Sequence, residues 1–362
     1  MFNNVLDLHK SFWHHKPAPR PLFGCNIGMF SNEHCPLTMG AMPRGIIEPD
    51  DIDIGLFLRD CENLYVAHNE LNDDYPFAAS PFVYIPWMEA IMGCAIMASD
   101  TSMWANPCVA DWNTWEWKDV GTENLWTAKL FEILEALIKH AAGRFPVAAT
   151  MMRGPSDIYA AMRGAARFPL DFYDHPDSTR EALRKCADVF IKLGKEQLAL
   201  IPESNEGFMD GDRGTRVWAP DKVLWLQEDA MALLSPEIYR DFILPEDRRI
   251  GTEFSCVALH LHNSALWALD DIVAVREIDA IELNLDGENS DAEETLTGWK
   301  KIIAHKPLIV WRAFGQDFRN WLDRMLDELP ASGLSIQVTA RSLDEAKMAK
   351  EQFLQAVEAN FK

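Results

Sequence analysis

Cys256-Val257-Ala258-Leu259-His260-Leu261-His262 alternates strictly. Val257, Leu259 and Leu261 share one side, and Cys256, Ala258, His260 and His262 share the other. A period of two is the signature of a β-strand, whose side chains point to opposite faces in turn. Two later stretches split the same way. In Ala280–Asp286 the apolar face is Ile281, Leu283 and Leu285, against Glu282, Asn284 and Asp286; in Leu334–Thr339 it is Leu334, Ile336 and Val338, against Ser335, Gln337 and Thr339. Helix-period segments follow them, near 265–275, 291–304 and 342–359. Strand then helix, repeated, implies a parallel sheet with right-handed crossovers. A doubly wound sheet, covered by helices on both faces, reads as continuously apolar. Strands with one apolar and one polar face, each followed by a helix, instead suit a closed β/α barrel with a polar lumen.

Working outward, further strands are read at Pro21–Phe30, Pro146–Met152, Glu206–Met209 and Leu308–Ala313. Helices are expected at Leu125–His140, Ser178–Leu200, 221–254 and 315–329. The last helix opens on a Ser342/Glu345 capping box and carries a stripe of Ala346, Ala349, Phe353 and Val357. Ser235-Pro236 is a second helix start, a cap residue followed by proline at the first helical position. No low-complexity linker divides the sequence, so residues 1–362 are read as a single barrel domain. Asn72–Val120, rich in Trp, Pro and Asp, is an insertion or lid region on it.

Hydrophobic residues make up 48% and charged residues 25% of the chain, an ordinary globular composition. The formal charge of −22 would repel nucleic acid and anionic lipid, which excludes both as main partners. The seven cysteines form no C-x-x-C pair, which argues for reduced thiols. No apolar run is long enough to span a bilayer, and the first residues carry no basic-then-apolar leader. The expectation is a cytoplasmic protein, as a monomer or homodimer, that handles a small molecule.

His260 and His262, two apart on a strand, have α-carbons about 6.5 Å apart, close enough for both imidazoles to reach one metal ion. The pair would serve equally as hydrogen-bonded lumen histidines or as acid–base groups. Cys256 shares their face but lies about 13 Å deeper, in the core. Glu89 is one candidate for an acidic partner. The loop 208–218 follows a strand and so is expected on the catalytic face, with Asp210 and Asp212 as base or substrate contacts and Arg213 or Arg216 for a carboxylate. Asp-Gly pairs also form plain turns. Arg153 and Arg312 end strands and would hold an anionic group. Trp87 and Trp218, among 13 tryptophans, would wall a flat ligand or simply pack the core.

WLQEDAMALLSPEIYRDFILPEDRRIGTEF (225–254), VALHLHN (257–263) and RGPSDIYAAMRGAARFPLDFYDHPDSTREAL (153–183) resemble, in their order and spacing, the uroporphyrinogen decarboxylase superfamily. That resemblance implies a (β/α)8 TIM barrel whose members include the tetrapyrrole decarboxylase and zinc methyltransferases working with corrinoid proteins. It places Glu228 and Asp229 at the barrel mouth, as partners for His260 and His262. The decarboxylases carry an arginine-rich loop after the first strand, where this chain has NIGMFSNEHCP (26–36) without arginine. The zinc methyltransferases show His-x-Cys and a later cysteine, where this chain has His260-Leu261-His262 and Gln337. The implied activity is a metal-assisted methyl transfer, with zinc held by His260, His262 and Glu228 and a corrinoid carried on a partner protein. The alternatives are a decarboxylase needing no cofactor, with His260 or Asp212 as proton donor, and a non-catalytic barrel that binds a small ligand.

Overall fold

A computed structural model describes residues 5–211, 216–284 and 292–360. Its strand–helix alternation builds a parallel sheet of seven strands. These are β1 (Leu22–Ile27), β2 (Met152–Arg153), β3 (Val223–Gln227), β4 (Cys256–His262), β5 (Ala280–Asn284), β6 (Leu308–Ala313) and β7 (Leu334–Ala340). From β2 to β7 each strand lies beside the next in sequence, and β1 then pairs with β7, Leu22 opposite Ser335. The outer faces pack on helices: Phe23 of β1 stacks on Phe353 of the last helix, ring centroids 4.5 Å apart. Ala346, Ala349 and Phe353 are buried there, and Ser342 and Ser235 cap their helices as expected.

One cleft is lined from Met29, just past β1, and Thr339 on β7 round to Arg153 on β2. Laid flat, seven strands would span about 29 Å. Trp225, His260, Glu282 and Trp311, on the strands between, line the same cleft of about 410 Å³, so the sheet curls around it. The expected eight-stranded closure is not found. Between β1 and β2 runs the stretch 74–80, held by Asp74 N–H donating to Phe23 O (3.1 Å) and by a single parallel bridge, Ala79 to Val147. Pro76, Pro81 and Pro146 lack the N–H groups that a longer ladder would need.

Two further readings need correction. Val223–Gln227, expected as the start of a helix over 221–254, is a strand, because its run of apolar side chains is buried on both faces. A 3-10 turn follows at Asp229–Leu233, and α-helix begins only at Pro236. The described parts of the loop 208–218, residues 208–211 and 216–218, do not lie on the catalytic face. Phe208–Asp210 and Val217–Ala219 form an antiparallel hairpin that leads into the start of β3. Met209, Val217 and Trp218 pack on Leu22, Val223, Ala258, Ala280 and Ile309, residues at or near the amino ends of five strands. The hairpin is therefore a floor under the inner face. Of the residues read in that loop, Asp212 and Arg213 lie outside the described residues, as do Leu285 and Asp286 beyond β5.

Gln337 fixes this floor. Its Oε1 accepts the Arg216 N–H at 2.6 Å, and its Nε2 donates to the Arg216 carbonyl. The Arg216 guanidinium, 1% exposed, donates to Cys25 O and Asp73 Oδ2, both at 3.0 Å. Gln337→Leu keeps the shape but strands two buried backbone groups. We expect a loss of about 2–3 kcal/mol in urea denaturation, and a loss below 1 kcal/mol would contradict this role.

Candidate metal centre

The carboxyl ends of β3, β4 and β5 carry the polar cluster, where a parallel α/β sheet presents its ligand site. Parallel register sets Glu282 beside His260 and Asn284 beside His262, all on the inner face. β3 ends at Gln227, opposite His260, and the chain then turns so that Asp229 reaches the two histidines. His260 Nε2 and His262 Nε2 are 3.2 Å apart, and each lies 3.3 Å from Asp229 Oδ1. Among the described residues these three are the one group of histidine, cysteine or acidic side chains whose ligand atoms converge in this way.

Each of the three is oriented by a neighbour or by its strand. The Glu282 carboxylate, fully buried, accepts the Nδ1 proton of His260 and turns Nε2 toward the cleft. A carboxylate behind a ligating imidazole is the usual second partner of such ligands. Gln227 Nε2 donates to Asp229 Oδ2, leaving Oδ1 for the histidines. Burial alone would raise Asp229, but its contacts with His260 and His262 hold it below the usual carboxylate range. Burial alone would lower His260, and Glu282 and Asp229 together raise it well above the ordinary imidazole value.

The acidic partner is Asp229 and not Glu228, which the sequence suggested as the third metal ligand. Glu228 turns the other way, to the helix Pro155–Arg163, where its Oε2 accepts the Ser156 N–H at 3.0 Å and the Ser156 hydroxyl. The amino end of that helix takes an anion well. Burial, then the nearby Asp247 and Asp157, push Glu228 well above the usual carboxylate range.

Of the other candidates, Arg153 lines the cleft. Its Nη1 donates to Glu89 Oε1 at 2.9 Å, so Glu89, fully buried, meets the site only through Arg153. Asp210 belongs to the floor, its Oδ2 accepting the Trp225 N–H at 2.6 Å. Trp218 and Gln337 lie in the floor as well; Trp218 donates to Asn205 O at 3.1 Å. Trp87 is buried behind the site, donating to Phe82 O at 3.0 Å. Arg312 shares the outer face with Val310 and lies 5.2 Å from the Trp321 ring centroid. Its alternation with the inward Trp311 puts it there. Sequence reading passed over Glu282, Gln227, Asn284, Trp311 and Thr339 as site residues. Glu282 had a usable signal, since it sits on the polar face of the strand after His260. The turn of a second hairpin, Ile96–Ala98 with Met103–Ala105, adds Thr101, Ser102 and Met103 to the cleft wall. No described helix is long and apolar enough to cross a membrane.

No protein-family profile matches the chain, and no curated protein matches it. Among solved structures, a methyltransferase from Methanosarcina mazei is similar over 98% of both chains, with a TM-score of 0.62 and 14% identity. At that identity the likeness is one of fold.

Glu89 has Arg153 as its cation, and its Oε2 has no hydrogen-bond partner. Arg153→Met therefore leaves a buried carboxylate uncompensated. We expect a destabilisation of about 3 kcal/mol, more than half of it recovered in the Glu89→Gln/Arg153→Met double variant. Additive losses in thermal denaturation would show that the pair is not coupled.

Proposed function

We propose that this chain is a metal-dependent, methyltransferase-like enzyme on a (β/α)8-type barrel, with the ion held by His260, His262 and Asp229. The observation that carries the reading is the triangle of donor atoms, with edges of 3.2, 3.3 and 3.3 Å. Ligands of a tetrahedral zinc at about 2.0–2.1 Å stand about 3.3–3.4 Å apart. Two imidazoles and one carboxylate are a complete protein set for a catalytic zinc, whose fourth position stays open to substrate. The set is harder than the thiolate sites of the zinc methyltransferases that the sequence resembles. A bound ion would act as a Lewis acid on the heteroatom of a small substrate, making it a better leaving group or nucleophile.

The remaining groups orient and select. Glu282 holds the His260 tautomer, and Gln227 holds the Asp229 carboxylate. Arg153, its side chain 37% exposed, offers the cleft a cation for an anionic substituent. Trp225, Trp311, Met29 and Met151 give an apolar wall that keeps water from the substrate body. Methyl transfer to or from a corrinoid on a partner protein is the form of the reaction that the resemblance suggests, and the shared fold of the methyltransferase is in keeping with it. A polycarboxylated tetrapyrrole suits the cleft less well: Arg153 is its one Arg or Lys among the described residues, facing Asp229 and Glu282.

Metal analysis of protein purified without added metal tests the proposal. The wild type should hold close to one zinc per chain and Glu228→Gln should keep it, while His260→Ala and Asp229→Asn should lose it. A folded wild type without metal, whose melting temperature zinc does not raise, overturns it. Glu282→Gln should weaken zinc about 10–100-fold, read by competition with a chelator. An unchanged affinity would remove Glu282 from the site. Methyl release from phenyl methyl ethers into a corrinoid acceptor, against decarboxylation of uroporphyrinogen, then separates the two chemistries.

A further inference from the structure

Cys94 and Cys108 stand 14 positions apart, with their sulfurs 3.1 Å from each other. The pair sits at the open base of the hairpin whose turn lines the cleft. Ile96, Met97 and Ala98 pair with Ala105, Trp104 and Met103, and Asn106 N–H donates to Ala95 O at 2.9 Å, one step before the cysteines. Backbone bonds fix both ends: Cys94 N–H donates to Glu89 O and Cys108 N–H to Met162 O, both at 2.9 Å. Cys94 is buried, Cys108 half-buried, and Cys25, Cys35, Cys61 and Cys186 are buried elsewhere. The Cys94 thiol and the Lys118 ammonium favour the thiolate of Cys108, which lies below the ordinary thiol range. An accessible sulfur beside a shielded one is the arrangement of an attacking and a resolving cysteine.

We propose that Cys94 and Cys108 form a reversible disulfide that clasps the 96–105 hairpin against the cleft. A hydroperoxide is the oxidant. The Cys108 thiolate attacks its outer oxygen, the O–O bond breaks, and Cys108 becomes a sulfenic acid while the alkoxide or hydroxide leaves and takes a proton. The Cys94 sulfur then attacks the Cys108 sulfur, water leaves with the Cys94 proton, and the S–S bond forms. In sum, two thiols and one hydroperoxide give one disulfide, one alcohol (or water) and one water, with two electrons passing from sulfur to oxygen. The link joins the segment carrying Glu89, the buried partner of Arg153, to the far end of the hairpin that places Thr101 and Ser102 on the cleft wall.

The test uses the full chain, treated with hydrogen peroxide, alkylated and mapped by peptide mass. We expect a Cys94–Cys108 linkage that dithiothreitol reverses. Hydrogen exchange across 96–105 should slow about tenfold or more, because the closed loop has fewer open states. Cys108→Ser and Cys94→Ala should each show neither effect. Alkylatable Cys94 and Cys108 after Cys256 has been oxidised would overturn the proposal. So would irreversible oxidation of Cys108 without linkage, or a link that leaves the exchange unchanged.

Discussion

The bond from His260 Nδ1 to Glu282 is the contact on which the rest of the site depends. Glu282 is fully buried on β5, and nothing on its own strand compensates it. Its partner comes from β4, by the register that sets Glu282 beside His260. A shift of one residue would turn Glu282 outward into the helix layer, so the pairing and the strand register hold each other in place. With Nδ1 committed, Nε2 is the only nitrogen His260 can present to the cleft. His262, two residues on, must present its ring to the same space. The meeting of the two imidazoles with Asp229 is a consequence of sheet geometry more than of local loop structure.

The neighbouring carboxylates Glu228 and Asp229 show how one turn separates two roles. Past Gln227 the chain leaves the sheet, so alternation no longer predicts direction. Glu228 goes to the backbone and hydroxyl of Ser156, at a helix start, while Asp229 goes to the histidines. Gly154 permits this, for a Cβ there would collide with the Glu228 carboxylate and with Gln227 O at 2.8 Å. The glycine before Pro155 thus belongs to the support of the site, although it touches no ligand.

What the sequence made legible follows the same line. His260, His262 and the strands 256–262 and 334–340 were readable because alternation is a local signal that the sheet preserves. Arg153 was readable as the end of a strand. Val223–Gln227 was not, since an apolar run buried on both faces has no period to distinguish strand from helix. Asp210 and Trp218 were misplaced for one shared reason. The paired segments 208–210 and 217–219 precede β3 and plug the amino end of the sheet, and no local pattern tells a loop before a strand from a loop after one. Arg312 was misplaced by one residue of alternation, its neighbour Trp311 facing the cleft instead. The stretch 74–80, beside β1 and the segment before β2, was hidden by the prolines that keep it from forming a ladder.

Charge gives the arrangement its direction. Glu89, Asp157, Glu228, Asp247 and Glu282 are all buried near the cleft, and Arg153 is the cation that pairs with one of them. Burying a carboxylate without a counter-charge is costly, and proteins usually answer by protonating it. Asp157 and Asp247 take that course: burial pushes both up to about 7. Asp229 does not, because His260 and His262 favour its anion. Behind His260, Glu282 makes the imidazole a stronger donor to anything placed at Nε2. Two carboxylates directed onto two imidazoles favour positive charge, as a proton or a cation, where the Nε2 atoms converge. In such a site a proton shared between the two Nε2 atoms, 3.2 Å apart, and a divalent cation would occupy the same place. A divalent ion would meet both nitrogens and Asp229 Oδ1 together, which is why the proposed function places a metal there.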